Sequence, residues 1–372
     1  YNFHTLIKYF VNLYHMKKIL TVIGARPQFI KASSISREII RRDDLNEIII
    51  HTGQHYDQNM SSIFFDELSI PEPNYNLGIG GSSHGLMTGR QLEAIEKVLF
   101  DENPDCVIVY GDTNSTLAGA LAAAKMNIPL AHVEAGLRSF NRTMPEEINR
   151  ILTDHASNIL FTPTATASSN LLNEGINEAF VKNVGDVMFD ASIFFKEKAR
   201  KPFWMESLTD DLSKFALATI HRAENTDNTD KLKKIFKGLS DSPIPVIVPL
   251  HPRTKSKLND QNIKISKNVF IVEPVGYLEM IWLESNCSIV CTDSGGVQKE
   301  AYFFQKPCLT LRDETEWIEL VNSGWNTLVG CNEDAIIDGI KDFKPPIDNL
   351  NLYGDGNSSK LILDELINAD IM

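Results

Sequence analysis

Short apolar runs that end on a glycine or a polar residue recur along the chain and alternate with stretches of helical period. Lys18–Gly24 (K-I-L-T-V-I-G) is the first, and its unbroken apolar character reads as a strand buried on both faces. Glu47–Thr52, Cys106–Gly111, Pro129–Glu134 and Ile159–Pro163 follow as strands. Between them Gln28–Arg42, Asp57–Leu68, Leu86–Phe100, an Ala-rich stretch running to Met126, Glu146–Ser157 and Thr166–Glu174 read as helices, and Pro71–Gly85 as a loop. After an irregular join at Lys201–Asp211 the alternation restarts. Phe215–Ile220, Pro245–Pro249, Val269–Val272, Ser288–Thr292 and Cys308–Leu311 are strands; Asp230–Leu239, Tyr277–Ser285, Val297–Phe304 and Ser358–Ile367 are helices.

Strands separated by helices of this length form βαβ units with right-handed crossovers and parallel sheets. The expected fold is α/β, with two Rossmann-like doubly wound domains facing a cleft. The first spans 16–185, the second 186–356, and 357–372 carries the last helix. Met16-Lys17-Lys18 reads as a natural start, and residues 1–15 as an upstream segment of unassigned origin, set aside from the fold.

At 372 residues the chain is long enough for two cores, and 43% hydrophobic with 23% charged residues is ordinary for a globular protein. The net charge of -13 argues against general binding to nucleic acid or anionic membrane. The five cysteines include no C-x-x-C, and Cys106, Cys287, Cys291 and Cys308 lie in or beside apolar runs, which indicates reduced thiols of a cytoplasmic protein rather than a disulfide frame or zinc site. No apolar span reaches the length of a membrane helix.

The chemistry collects where strands end. His132–Arg150 packs Glu134, Gly136, Arg138, Arg142, Pro145, Glu146 and Glu147 into one loop and helix start. Asp112, Glu134 and Glu146 lie near neighbouring strand ends, and clustered carboxylates raise one another's pKa toward the range useful for proton exchange. Capping is the plainer reading of Asp112 and Glu146. Thr292-Asp293-Ser294-Gly295-Gly296 joins a strand to a helix, where free N–H groups and the helix dipole favour an anion; an N-cap by Ser294 is the plainer reading. His221-Arg222 and His251 with Arg253 converge on the same strand ends and suit a diphosphate whose leaving oxygen gains charge. Arg26 is a further phosphate candidate. No G-x-G-x-x-G follows a strand and no P-loop is present, and His51-x-x-x-His55 crosses a strand end, where it makes a poor metal pair.

G-A-R-P-Q-F-I-K (Gly24–Lys31), Y-G-D-T-N-S-T (Tyr110–Thr116), H-V-E-A-G-L-R (His132–Arg138), P-E-E-I-N-R (Pro145–Arg150), H-R-A-E-N (His221–Asn225) and T-D-S-G-G-V-Q-K-E (Thr292–Glu300) together resemble the non-hydrolysing UDP-N-acetylglucosamine 2-epimerases. The likeness runs from Lys17 to the final helix. It implies a glycosyltransferase-B-like fold, a homodimer, a UDP-sugar ligand, no metal and no other cofactor, and a last helix that crosses back to the first domain. It implies removal of the C2 proton as UDP leaves C1, a 2-acetamidoglucal intermediate, and re-addition with the proton on the other face. Asp112, Glu134 and Glu146 match the family's acid/base carboxylates, and His221 its histidine at the leaving UDP. Arg26, Lys31, Ser294, Gly295 and Gly296 match nucleotide contacts, and Glu300 the ribose contact. Arg138, Arg222 and His251 complete the expected binding set.

Some positions depart from the pattern. Arg-Pro-Glu is Arg26-Pro27-Gln28, and T-E-R-P-E is Thr315-Glu316-Trp317-Ile318-Glu319. Asp57 and His84 stand where family members that bind a second UDP-N-acetylglucosamine have glutamine, although Gln54 is kept. The wording G-A-R-P-Q-F-I-K, H-T-G-Q-H-Y-D and R-D-E-T-E-W is closer to the subgroup acting on UDP-2,3-diacetamido-2,3-dideoxyglucuronate, which makes that sugar the alternative substrate. A glycosyltransferase of the same fold, a hydrolysing relative and a non-catalytic UDP-sugar sensor are the rival readings.

Overall fold

The computed structural model describes residues 16–54, 70–208, 213–250, 252–261, 263–346 and 351–368. The chain divides into two compact units, one ending at Ala191 and resuming at Leu352, the other spanning Ser192–Asn351. The division thus falls inside a helix, Val187–Lys196, past the boundary after residue 185 expected from the strand–helix pattern.

Unit 1 is built on a seven-stranded sheet among the described residues, ordered β3-β2-β1-β4-β5-β6-β7. The strands are β1 (Lys17–Ile23), β2 (Leu45–His51), β3 (Tyr75–Asn76), β4 (Cys106–Tyr110), β5 (Leu130–Val133), β6 (Ile159–Thr162) and β7 (Val181–Asn183). Every pair is parallel. Its helices are α1 (Arg26–Ile40), α2 (His84–Glu102), α3 (Asn114–Lys125), α4 (Pro145–Ala156), α5 (Ala165–Asn173) and the start of α6 (Val187–Lys196). β4 reads C-V-I-V-Y and is fully buried, as expected of a central parallel strand with helices on both faces. Gly119 lets α3 lie close on this sheet, because a Cβ there would meet Val22 and Val109 at 3.1–3.2 Å.

Unit 2 repeats the plan with a six-stranded sheet among the described residues, β10-β9-β8-β11-β12-β13. The strands are β8 (Ala216–Thr219), β9 (Val246–Pro249), β10 (Val269–Val272), β11 (Ile289–Thr292), β12 (Cys308–Thr310) and β13 (Asn326–Leu328). The helices are α7 (Ala223–Thr226), α8 (Thr229–Ser240), α9 (Pro252–Asp260), α10 (Tyr277–Asn286), α11 (Gly295–Phe303), α12 (Ile318–Asn322) and α13 (Glu333–Asp342). Both sheets carry the doubly wound order, so each has one switch point: β1/β4 in unit 1 and β8/β11 in unit 2.

The last helix, α14 (Ser358–Asn368), belongs to unit 1 and packs on α1. Asp190 holds its start by accepting from Ser358 N at 3.1 Å, Ser359 N at 2.7 Å and Ser359 Oγ at 2.7 Å. Arg42, just past the end of α1, forms an ion pair with Asp364. The strands β3, β7 and β13 and the helices α6, α7, α9, α12 and α13 were not read from the sequence, and the expected helix Asp57–Leu68 lies outside the described residues. Among the described residues no helix is long and apolar enough to cross a membrane.

Candidate active site

In unit 1 the ends of β1 and β4 are tied by one buried side chain. Gln28, 1% exposed, accepts at Oε1 from Gly24 N (2.8 Å) and Ala25 N (3.0 Å). Its Nε2 donates to the Tyr110 carbonyl (2.9 Å) and to Thr116 Oγ1 (3.0 Å). Every hydrogen-bonding position of the amide on those two atoms is directed, so the two strand-end loops are fixed to each other. Gly24 allows the approach, since a Cβ would lie 2.1 Å from Thr52 Oγ1 and 2.2 Å from Ser115 Oγ.

Lys31, one turn along α1, forms an ion pair with Glu134, and each side chain is 8% exposed. The pair sits over Gly111, whose φ is +63° and whose added Cβ would lie 2.9 Å from Lys31 Nζ and 3.2 Å from Glu134 Oε2. Glu134 has a φ of +70° itself. A glutamate in the left-handed region is strained by roughly 1 kcal/mol, and such strain is characteristic of residues held for chemistry.

Asp112 accepts from Arg150 Nη2 at 2.6 Å, and its carbonyl accepts from Asn149 Nδ2 at 2.9 Å. It does not cap α3; Thr113 does, accepting from Thr116 N at 3.2 Å. Arg150 Nη1 also donates to the buried Glu147 at 2.7 Å. Burial works against the Glu147 charge, but the Ser139 and Phe140 N–H groups and Arg150 outweigh it and hold the carboxyl below its ordinary range. Glu146 is exposed in the first turn of α4. Lys31, Gln54, His84, Asp112, Glu146 and Asn149 all line one pocket of about 170 Å³ at the switch point. Two of the three expected carboxylates therefore face cations, Glu134 facing Lys31 and Asp112 facing Arg150, so the three acids do not stand as a mutually repelling cluster.

Arg138, expected among the binding residues, does not line the unit 1 pocket. Its side chain is 1% exposed and fully engaged: Nε and Nη2 donate to Glu174 at 2.7 Å, and Nη1 reaches Asp154 and the Leu137 carbonyl at 2.7 Å. Its spacing from Glu134 made it a candidate, yet its direction is into the core. There it completes a buried network with His132, whose ring nitrogens meet Asp154 Oδ1 at 2.7 Å and the Gly111 carbonyl at 2.8 Å. Lys31, expected among the nucleotide contacts, lines the pocket while paired with Glu134. Arg26 is half-buried at the first residue of α1.

In unit 2, Asp293 organises the β8/β11 switch point. It is fully buried and accepts from His221 N (3.1 Å), Arg222 N (3.1 Å) and Asn225 Nδ2 (3.0 Å). The His221 ring Nδ1 lies 3.3 Å from Asp293 Oδ1 while the ring itself is 53% exposed. Asn225 also donates to the Leu311 carbonyl at 2.9 Å, locking the loop after β8 to the end of β12. Asp293 was visible within T-D-S-G-G, but neither it nor Asn225 stood among the expected site residues.

Ser294 is the N-cap of α11, its hydroxyl accepting from Val297 N at 3.5 Å, and Gly295 and Gly296 form the first turn, half-buried. A Cβ on Gly295 would lie 2.3 Å from Glu316 Oε1. Glu316 is held by Arg312 at 2.8 Å and approached by Arg222 at 3.7 Å. Burial opposes its charge, but those two guanidinium groups dominate and keep its carboxyl low. Glu300 is 6% exposed and accepts from the Tyr277 hydroxyl at 3.4 Å. Trp317, at the position where the pattern has arginine, is buried beneath the Lys299 ammonium, 4.2 Å from the ring centre. His251 lies outside the described residues, as does His55; His51 is buried against Phe29 with ring centres 5.2 Å apart. Among the described residues no group of three or more His, Cys, Asp or Glu is placed to hold a metal ion.

Two doubly wound parallel sheets with ionisable side chains at both switch points define an α/β protein of glycosyltransferase-B-like fold. A family model described as UDP-N-acetylglucosamine 2-epimerase matches residues 37–367. A UDP-N-acetylglucosamine 2-epimerase homolog of Methanococcus maripaludis is 55% identical, covering 94% of this chain and 99% of that one. The UDP-2,3-diacetamido-2,3-dideoxy-D-glucuronate 2-epimerase of Pseudomonas aeruginosa is 54% identical, again over 94% and 99%. The crystal structure of Methanocaldococcus jannaschii UDP-GlcNAc 2-epimerase in complex with UDP-GlcNAc and UDP superposes with a TM-score of 0.85 at 46% identity, over 94% of this chain and 99% of that one. The chain belongs to the UDP-N-acetylglucosamine 2-epimerase family, a family of isomerases acting on UDP-sugars.

Proposed function

We propose that the chain is a non-hydrolysing 2-epimerase that interconverts UDP-N-acetylglucosamine and UDP-N-acetylmannosamine. The observation that carries the reading is the unit 1 pocket, where Asp112 and Glu146 line the same 170 Å³ as Lys31, the partner of Glu134. A carboxylate takes the C2 proton, the C1–O bond breaks with its electron pair leaving on the diphosphate oxygen, and a C1=C2 double bond remains. UDP then adds back to C1 while a second acid returns a proton to the opposite face of C2. His221, steadied by Asp293, meets the departing diphosphate. Arg26, Arg222, His251 and the N–H groups of Ser294, Gly295 and Gly296 at the start of α11 hold its charge, and Glu300 takes the ribose. No metal or redox cofactor enters these steps.

A second substrate comes from the relatives, beside the UDP-N-acetylglucosamine 2-epimerase homolog of Methanococcus maripaludis at 55% identity. The relative acting on the diacetamido uronate is 54% identical, whereas the UDP-N-acetylglucosamine 2-epimerase of Methanocaldococcus jannaschii is 46% identical. The same elimination and re-addition apply to that sugar. The enzyme works as a homodimer in the cytoplasm, a setting in keeping with its buried free thiols at Cys106, Cys287, Cys291 and Cys308. Proton NMR in deuterated water tests the reading. Deuterium is expected at C2 with build-up of the other epimer, and absence of exchange with both sugars would overturn it.

A further inference from the structure

The first turn of α11 carries no acidic side chain of its own, yet a carboxylate already lies against it. Gly295 opens that turn, and a Cβ there would collide with the Glu316 carboxylate, so the carboxylate rests on bare glycine backbone. The loop bearing Glu316 is pinned to α11 on both sides. Thr315 Oγ1 donates to the buried Gln298 Oε1 at 2.8 Å and accepts from Trp317 N at 3.2 Å, while Trp317 lies under the Lys299 ammonium. Glu316 is therefore held in place by the fold, with only 8% of its side chain exposed.

Among the described residues two cations meet it, Arg312 Nη1 at 2.8 Å and Arg222 Nη2 at 3.7 Å. Position 317, arginine in the pattern, is tryptophan here and adds no cation. Arg312 is buried, and its Nε has no hydrogen-bond partner among the described residues, so donor capacity is left over at this helix start. Arg222 differs. Its backbone N–H is fixed on Asp293, but its side chain is a quarter exposed and stands too far from Glu316 for a hydrogen bond, so it can turn to another anion. A diphosphate held by Arg222 and the Ser294–Gly296 N–H groups meets a fixed negative charge beside it, and like charges in a partly dry site repel. That repulsion grows with the charge of the ligand. Free UDP, whose terminal phosphate loses a second proton near pH ~6, carries about one more negative charge at neutral pH than a UDP-sugar does.

We infer that Glu316 is a specificity-determining residue that discriminates against free UDP, weakening the hold on the leaving group and so favouring its return to C1. The inference rests on the proposed reading, which puts a UDP diphosphate at this helix start. UDP and UDP-N-acetylglucosamine are titrated by calorimetry into wild type, Glu316→Gln and Glu316→Asp. Glu316→Gln binds UDP about tenfold tighter than wild type does and gains about threefold or less with the UDP-sugar. Glu316→Asp keeps the charge but draws it back by one methylene, and its gain with UDP is smaller. UDP bound equally or more weakly by a folded Glu316→Gln overturns the inference, because Glu316 is then a prop for its two arginines. An equal gain with both ligands overturns it as well, because the effect then does not follow ligand charge. Melting of each variant with and without UDP checks the fold, and if Glu316→Gln does not fold, Glu316→Asp decides by the same comparison. Absence of C2 exchange in a protein that binds UDP overturns the epimerase reading alone, since the affinity series needs no turnover. No UDP binding by wild type overturns both.

Discussion

Replacing Asp293 with asparagine keeps the shape of the unit 2 switch point and removes its charge. The wild-type carboxylate, fully buried, accepts from two backbone N–H groups and the Asn225 amide, and its Oδ1 lies 3.3 Å from the His221 ring Nδ1. An asparagine can offer its oxygen to most of these donors, but its NH₂ must face the rest. Loss of charge-assisted bonds of this kind costs about 1–3 kcal/mol of stability. The effect on chemistry follows from the ring. At the 3.3 Å separation of Nδ1 and Oδ1, unit charges attract by about 5 kcal/mol at an effective dielectric of 20 and about 1 kcal/mol in water. Because the ring is 53% exposed, the lower part of that range applies, about 1–3 kcal/mol. The asparagine NH₂ also donates to Nδ1, which places the ring proton on the outer nitrogen and removes the partner that stabilises an imidazolium. If His221 serves the departing diphosphate as a charged donor, kcat falls about tenfold to a hundredfold. Steady-state epimerisation with UDP titration by calorimetry separates the effects, with kcat lowered and UDP affinity changed little. A kcat within threefold of wild type in a folded Asp293→Asn protein would refute the reasoning.

Other outcomes follow from the same geometry. Arg138→Ala leaves Asp154 and Glu174 without their guanidinium and should cost about 3–5 kcal/mol in urea unfolding; a shift below 1 kcal/mol would mean the network is not structural. Gly111→Ala forces an alanine to φ +63° and pushes on the Lys31–Glu134 pair, so turnover should fall at least tenfold with only about 1–2 kcal/mol lost in stability. Glu147 has a lowered folded pKa, so its contribution to stability is complete above its ordinary value of 4.5 and is lost as pH falls through the folded value; acid unfolding of wild type should be steeper there than that of Glu147→Gln. Burial pushes the Cys287 and Cys106 thiols up to about 12 and raises Cys291 and Cys308 as well, so a thiol reagent at neutral pH should label Cys331 alone among the five until the protein unfolds.

The central strands were legible because runs such as C-V-I-V-Y are apolar over their whole length, which only a doubly covered strand tolerates. Strands β3, β7 and β13 were missed because they are two or three residues long and sit at or near sheet edges, where no apolar run is required. Strand ends placed Asp112, Glu146, His221 and Asp293 correctly near switch points. Partnerships were not legible, since Lys31 and Glu134 stand far apart in the chain and meet only once β1, β4 and β5 lie side by side. Arg138 shows a second limit of the same kind. Its position in a motif was plain, but a residue's place along a strand end does not reveal whether a long side chain turns outward or toward the core. Gln28, noted as a departure from Arg-Pro-Glu, proves to be a brace between two loops, and its amide supplies two donors that a carboxylate lacks.

The placement of α14 in unit 1 has a consequence for synthesis on the ribosome. Residues 192–351 leave the exit tunnel before 358–368 do, so the second unit can complete its core while the first still waits. During that interval α1 lacks the helix that packs on it, and Asp190 lacks the Ser358 and Ser359 groups that satisfy it. A nascent chain stalled before residue 358 would carry a finished second unit joined to a first unit left open along α1, next to the Gln28 brace and Lys31. Quality control acting on such a chain would meet that exposed flank of the first sheet layer, and chaperone contacts mapped on stalled chains should concentrate there.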